Sequence, residues 1–184
     1  MPRVSVCCSV LNQSAWLREM IASVMVQSFK DWELIIVDDG SEDDIKAVID
    51  EFKDGRITYH RFDANKGIPH GINYAMQAAK GEFINPLAAD ELITPDKLKE
   101  QVEYMDAHPD VDAVWGLPQN GAIGKRPEWE QCRLNAHNRS NLQWVRTLLT
   151  LDNVPIGGAS MLVRKLVFDD IGYFDNQLTV FSDH

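Results

Sequence analysis

The chain lacks the cysteine pattern of a stapled or zinc-bound domain. Cys7, Cys8 and Cys132 are its only cysteines; the set is odd and two are adjacent, which suits neither a disulfide framework nor a zinc site. Cys7 and Cys8 read instead as small core residues of a strand, in keeping with a reducing cytoplasm. Long apolar runs are also missing, since none approaches the roughly 18 residues that span a bilayer. Only Met1, Pro2 and Arg3 precede the first apolar stretch, so no signal peptide is expected. Basic charge is scarce. Lys and Arg number 18 against 28 Asp and Glu, a formal net charge of −10, which excludes the basic footprint of a general nucleic-acid binder. An anionic nucleotide stays admissible, because a divalent cation and backbone N–H groups can supply positive potential locally. Residues 9–14 hold no glycine. That argues against a Gly-x-Gly-x-x-Gly dinucleotide site and against the Gly-rich loop of a sugar nucleotidyltransferase.

What is present is the composition of one globular domain: 184 residues, 45% hydrophobic and 25% charged, enough for one sizeable core. Apolar periodicity alternates between strand and helix. Residues 4–10 read as a strand, and Leu17, Ile21 and Val24 then recur at helical spacing. Residues 33–37 are too apolar for a half-exposed strand and are expected to be buried on both faces. Ser41-Glu42-Asp43-Asp44 has capping-box spacing ahead of Ile45, Val48, Ile49 and Phe52. Strands are expected at residues 57–61, 83–87, 111–115 and 160–163. Helical faces are expected through Ile68, Ile72, Ala75, Met76 and Ala79, through Leu98, Val102 and Met105, over residues 165–171, and through Leu142, Val145 and Leu149. Residues 117–140 read as a long excursion. Such alternation predicts an α/β fold with a mostly parallel sheet and helices on both faces. Ligands of such sheets bind beyond the carboxyl ends of the strands, which directs attention to residues 9–12, 38–41 and 88–91.

Asp38-Asp39-Gly40-Ser41 follows the apolar strand directly. Two carboxylates there can accept hydrogen bonds from a base or ribose, or the four residues can simply form a turn and a helix cap. Asp90-Glu91 follows the next buried strand. A carboxylate at that point suits a cation bridging two phosphates, and an acidic turn before Pro95 explains it equally well. Asp110-Val111-Asp112 is a literal Asp-x-Asp, but it precedes its strand and so falls at the wrong end of the sheet. His60, His70, His108 and His137 have no metal-ligand spacing. Asp183, beside the terminal His184, is a carboxylate that could serve as a base.

Taken in order, these segments resemble glycosyltransferase family 2 and its GT-A fold. Val4-Ser5-Val6 with Asn12 is similar to the family's opening strand and turn. Trp32-Glu33-Leu34-Ile35-Ile36-Val37-Asp38-Asp39-Gly40-Ser41 is similar to its most recognisable stretch. Asn65-Lys66-Gly67 with Asn73, Gly81-Glu82-Phe83-Ile84, Pro95-Asp96-Lys97-Leu98, Gly157-Gly158-Ala159-Ser160-Met161 and Gly172-Tyr173-Phe174-Asp175 continue it. Any one fragment is weak; the ordered series is strong.

The resemblance implies an inverting transferase that moves a sugar from a nucleoside diphosphate sugar to the hydroxyl of a saccharide or lipid-linked acceptor. It places Ser9, Leu11, Asn12, Asp38, Asp39, Gly67, Ala88 and Ala89 at the nucleotide and Asp90 at a Mg²⁺ or Mn²⁺ ion. Asp183 becomes the base, and Gly157, Gly158 and Ala159 line the acceptor side. Residues 1–116 would form the nucleotide-sugar-binding half of a single domain, and 117–184 the start of an acceptor half that stops at the edge of the site. A cytoplasmic location, peripheral at the inner membrane face, is the matching expectation. Three residues depart from the pattern. Leu11 replaces an aromatic that stacks on the base, a contact worth about 1 kcal/mol beyond its area. Ala88 replaces the first Asp of the metal motif, and Ile72 replaces a frequent Arg. A nucleotide-sugar-binding module without catalysis is therefore the alternative.

Overall fold

The computed structural model describes residues 1–116 and 158–177. Among them, six strands form one sheet: β1 (Val4–Val10), β2 (Trp32–Asp38), β3 (Ile57–Arg61), β4 (Phe83–Pro86), β5 (Ala113–Trp115) and β6 (Met161–Arg164). Their order is β3-β2-β1-β4-β6-β5. β1 pairs in parallel with β2 and β4, and β2 with β3. β6 lies antiparallel to both β4 and β5, so the sheet is mostly parallel with one reversed strand.

All seven residues of β2 are buried, and six of the seven in β1, as strands covered on both faces must be. Alternate β1 residues divide the core. Val4, Val6, Cys8 and Val10 face one apolar cluster and Cys7 the other. Helix α1 (Ser14–Met25) enters the first cluster through Leu17, Met20, Ile21 and Val24. This stripe recurs every three or four residues, and each fully buried member contributes about 1.5–3 kcal/mol. Helices α2 (Ile45–Asp50) and α4 (Lys97–Ala107) complete that face. Helices α3 (Ile68–Ala78) and α5 (Lys165–Ile171) supply Ala75, Met76 and Phe168 to the other.

Element boundaries differ from expectation in instructive places. The cap of α2 is Asp44, whose Oδ1 accepts from Ala47 N–H at 3.0 Å, rather than Ser41. Ser41 Oγ is drawn off by a residue distant in sequence, accepting from Asn12 N–H at 3.0 Å. Strand β5 begins at Ala113 rather than residue 111, because the Val111 amide is used in a turn onto His108 O. Strand β4 stops at Pro86, although the Leu87 amide still reaches Cys7 O at 2.9 Å. The expected helix through Leu142 and the excursion over 117–140 lie outside the described residues.

Candidate active site

The carboxyl ends of β1, β2 and β4 bring residues from three distant segments to one rim, and three ties hold the loops there. Asn12, at the left-handed φ of 54°, accepts from Glu42 N–H through Oδ1 at 2.7 Å while its own N–H reaches Ser41. This joins the loop after β1 to the loop after β2. Asp39 accepts from Lys66 N–H at 2.7 Å and Gly67 N–H at 2.8 Å, one on each carboxylate oxygen. This joins the loop after β2 to the entry of α3. Gly40, at φ 77°, packs so closely that a Cβ would stand 2.7 Å from the Ala64 carbonyl carbon, which only glycine permits.

Asp39 is 2% exposed. Both of its oxygens are engaged, but each keeps a second lone pair. Asp38 has three partners within the chain. It is fully buried, with Oδ1 on Ser41 N–H at 2.8 Å and Oδ2 on Tyr59 OH at 2.8 Å and Arg61 Nη1 at 2.6 Å. Burial first, and then the bond to Asp38, push the Tyr59 phenol upward. Arg61 and Tyr59 were not legible as partners of Asp38, since strand alternation says which face a residue takes but not which carboxylate it meets.

Ser9 is half-buried at the end of β1, facing α3; a Cβ on Gly71 would lie 2.0 Å from its Oγ. Leu11 is half-buried beside it. After β4, Ala88 is exposed, Ala89 is buried and Asp90 is exposed. Glu91 closes the turn, its carboxylate accepting from Ala88 N–H at 3.2 Å. Beneath lies Cys8, whose thiol is pushed up by burial and then by the charges of Asp90 and Glu91. The acidic turn thus stands over the end of β1. Asp110 is exposed in the turn before β5, at the opposite end of the sheet.

Among the described residues no group of three or more His, Cys, Asp or Glu could hold a metal. The donor set at the rim is Asp90, with Glu91 adjacent. One or two carboxylates fit Mg²⁺ or Mn²⁺ where substrate phosphates and water supply the remaining ligands, and do not fit an all-protein cage. A cavity of about 600 Å³ lies next to this rim, lined by His60, Arg61, Phe62, Lys66, His70 and Tyr74 among others. It shares Lys66 with the Asp39 tie but includes neither Ser9 nor Asp90, so it flanks the expected base site. Of the residues expected on an acceptor side, Gly158 and Ala159 fall in a 3-10 turn (Gly158–Ser160) entering β6, with Ala159 half-buried. Gly157 and Asp183 lie outside the described residues.

The pattern of the glycosyl transferase family 2 matches residues 5–169. An uncharacterized glycosyltransferase of Rickettsia typhi is 26% identical over the whole chain, which covers 57% of that relative. One of Methanocaldococcus jannaschii is 34% identical over 69% of the chain and 47% of its own length. The S. aureus TarS 1–349 structure in complex with UDP superposes with a TM-score of 0.75 at 21% identity, covering 97% of this chain and 52% of that one. The mannosyltransferase PcManGT of Pyrobaculum calidifontis, in complex with GDP-Man and Mn²⁺, gives 0.71 at 19% identity over 96% of this chain and 48% of that one. The α/β architecture is thus the GT-A fold, and the chain spans about half the length of these relatives.

Proposed function

Because the chain belongs to glycosyl transferase family 2, we propose that it forms the donor half of an inverting glycosyltransferase that uses a nucleoside diphosphate sugar. The observation that carries this is the rim itself, where Ser9, Asp39 and Asp90 lie at or beyond the carboxyl ends of three adjacent parallel strands, the place where such sheets bind ligands. Residues 1–116 hold the donor, and residues 117–184 begin the acceptor half. Leu11 and the spare lone pairs of Asp39 meet the base, with Ser9, Asn12 and Gly67 around it. Asp38 acts through Ser41 and Arg61, shaping the ribose side from within. Ala88 and Ala89 leave the turn bare of side-chain oxygen up to Asp90.

The reaction is an in-line displacement. The acceptor hydroxyl oxygen bonds to the anomeric carbon as the carbon–oxygen bond to the diphosphate breaks, and the hydroxyl proton passes to Asp183. Asp90, with Glu91 beside it, would hold Mg²⁺ or Mn²⁺, which when bound neutralises charge on the leaving diphosphate. Gly157, Gly158 and Ala159 line the acceptor side, and the acceptor is a saccharide or a lipid-linked saccharide. No described helix is long and apolar enough to cross a membrane, and the proposed location is cytoplasmic, peripheral at the inner face.

A second reading is a nucleotide-sugar-binding module without transfer. The methyl group of Ala88, where a carboxylate would strengthen the cation site, favours it. One experiment tests both: a thermal-shift panel of UDP- and GDP-sugars with and without Mn²⁺, followed by transfer assays on the full natural protein. A Mn²⁺-dependent shift with one donor and turnover of that donor are expected. No shift with any donor would sink both readings, and a shift without turnover would select the module.

A further inference from the structure

We infer that Lys97 is a positioning residue, fixing the Gly158–Ser160 turn, to which the transferase reading assigns the acceptor, against the start of α4, which follows the acidic turn of Asp90 and Glu91. The inference rests on the transferase reading above and concerns residues which that reading leaves unused.

Lys97 is the first residue of α4 and only 8% exposed. Its Nζ donates to Met161 O at 3.0 Å, directly after the Gly158–Ser160 turn. Two more buried side chains collect carbonyls of the same segment. Asn85 of β4 donates through Nδ2 to Met161 O at 3.0 Å and to Ala159 O at 3.5 Å. Gln101, one helical turn after Lys97, donates through Nε2 to Ser160 O at 2.8 Å. Gly116 N–H reaches that same carbonyl at 2.7 Å. Three consecutive carbonyls, those of Ala159, Ser160 and Met161, are therefore gripped by side chains from β4 and α4.

The other end of the grip is the start of α4, in the segment that follows the acidic turn. The backbone of Lys97 is anchored on Thr94 O at 3.0 Å, and Thr94 O also accepts from Gln27 Nε2 at 2.7 Å. Glu91, which closes the turn over Ala88, is the charge acting on the buried amine against the burial that pushes it down to about 7. Burying an amine is expensive, and an apolar side chain of the same length would fill the space more cheaply. What the amine adds is a directional tie from the start of α4 to the first residue of β6, 64 residues on, and reacting groups depend on such close placement.

The test uses the full natural protein and the variants Lys97→Met, which removes every donor, and Lys97→Gln, which keeps an N–H. Four quantities are read: the unfolding midpoint, donor affinity, the ratio of transfer to donor hydrolysis by water, and amide exchange at Gly116 and Leu34. In Lys97→Met the Gly116 amide should exchange about tenfold faster while Leu34, deep in the sheet, is unchanged. Transfer should fall by about 10- to 100-fold, the range for small misplacements, with donor affinity and hydrolysis retained. Lys97→Gln should recover part of both effects. Unchanged exchange at Gly116, or an equal fall in transfer and hydrolysis, would overturn the inference. If only Lys97→Gln folds, its own transfer-to-hydrolysis ratio decides: a wild-type ratio overturns the inference and a lowered one supports it. A wild-type protein that hydrolyses and transfers no donor would instead overturn the transferase reading, and the inference with it.

Discussion

Gly71 faces Ser9 so closely that α3 could not occupy its place with any larger residue. A Cβ on Gly71 would stand 2.0 Å from Ser9 Oγ and 2.9 Å from Ser9 Cβ. The hydroxyl can rotate away, but the Cβ contact stays and must be relieved by moving the helix or the end of β1.

Gly71→Ala should therefore destabilise the chain by about 1–3 kcal/mol, the usual cost of overpacking, and weaken nucleoside diphosphate binding because Ser9 moves. Adding Ser9→Gly should restore most of the stability without restoring binding. A double-mutant cycle by urea unfolding and calorimetry checks this. Additive losses would mean that the two residues do not press on each other.

Asp39→Ala should lower stability as well as affinity. It removes the acceptor of the Lys66 amide, while the Gly67 amide keeps Asn65 Oδ1 at 2.9 Å, so the loss should be about 1 kcal/mol, that of an ordinary hydrogen bond. The urea midpoint should fall, and nucleotide affinity should fall in the folded fraction too. Loss of affinity at an unchanged midpoint would show that the tie to α3 contributes nothing.

Asp90→Asn should abolish the Mn²⁺-dependent part of nucleoside diphosphate binding, and Asp110→Asn should leave it intact. Asp110 is on the far edge of the sheet, before β5 rather than after a strand. Calorimetric titrations with and without Mn²⁺ decide. An effect of Asp110→Asn equal to that of Asp90→Asn would refute the strand-end assignment.

Lys97 should give stability a pH dependence with a definite sign. Burial holds its amine at about 7 in the folded chain, against the ordinary lysine value of 10.5. Between these values the unfolded chain binds a proton that the folded chain does not, so stability from this source rises with pH across that window. Below about 7 both states are charged and the burial penalty is felt in full. Lys97→Met should accordingly be most favoured over wild type near pH 6, and the difference should shrink towards pH 10. Parallel stability profiles for the two proteins would contradict this.

Much of the fold could be read in the residues because it is written locally. The apolar run of β2 and the Leu17, Ile21, Val24 stripe of α1 need only their own sequence to declare themselves. The candidate site was legible to the extent that it follows from strand ends, as Asp39 and Asp90 do. What was not legible depends on partners distant along the chain. Ser41 looks like a helix cap until Asn12 claims its hydroxyl. Asp38 reads as a ligand residue, and its bonds to Tyr59 and Arg61 of β3 have no signal in the sequence. The grip of Asn85, Lys97 and Gln101 on β6 had a faint signal, namely polar residues set in otherwise apolar stretches, but spacing does not say which carbonyls they hold.

The reversed direction of β6 has a consequence for how such a protein can change. Trp115, the last residue of β5, pairs with Met161, the first of β6, so the backbone departs and re-enters at neighbouring points on the rim. Any segment between them, whatever its length, is joined to the sheet at those two points. On the proposed transferase reading, acceptor preference is then to be sought in an exchange of that segment, with the paired strands left as they are. Chimeras joined at residues 116 and 158 are the natural place to begin swapping specificities.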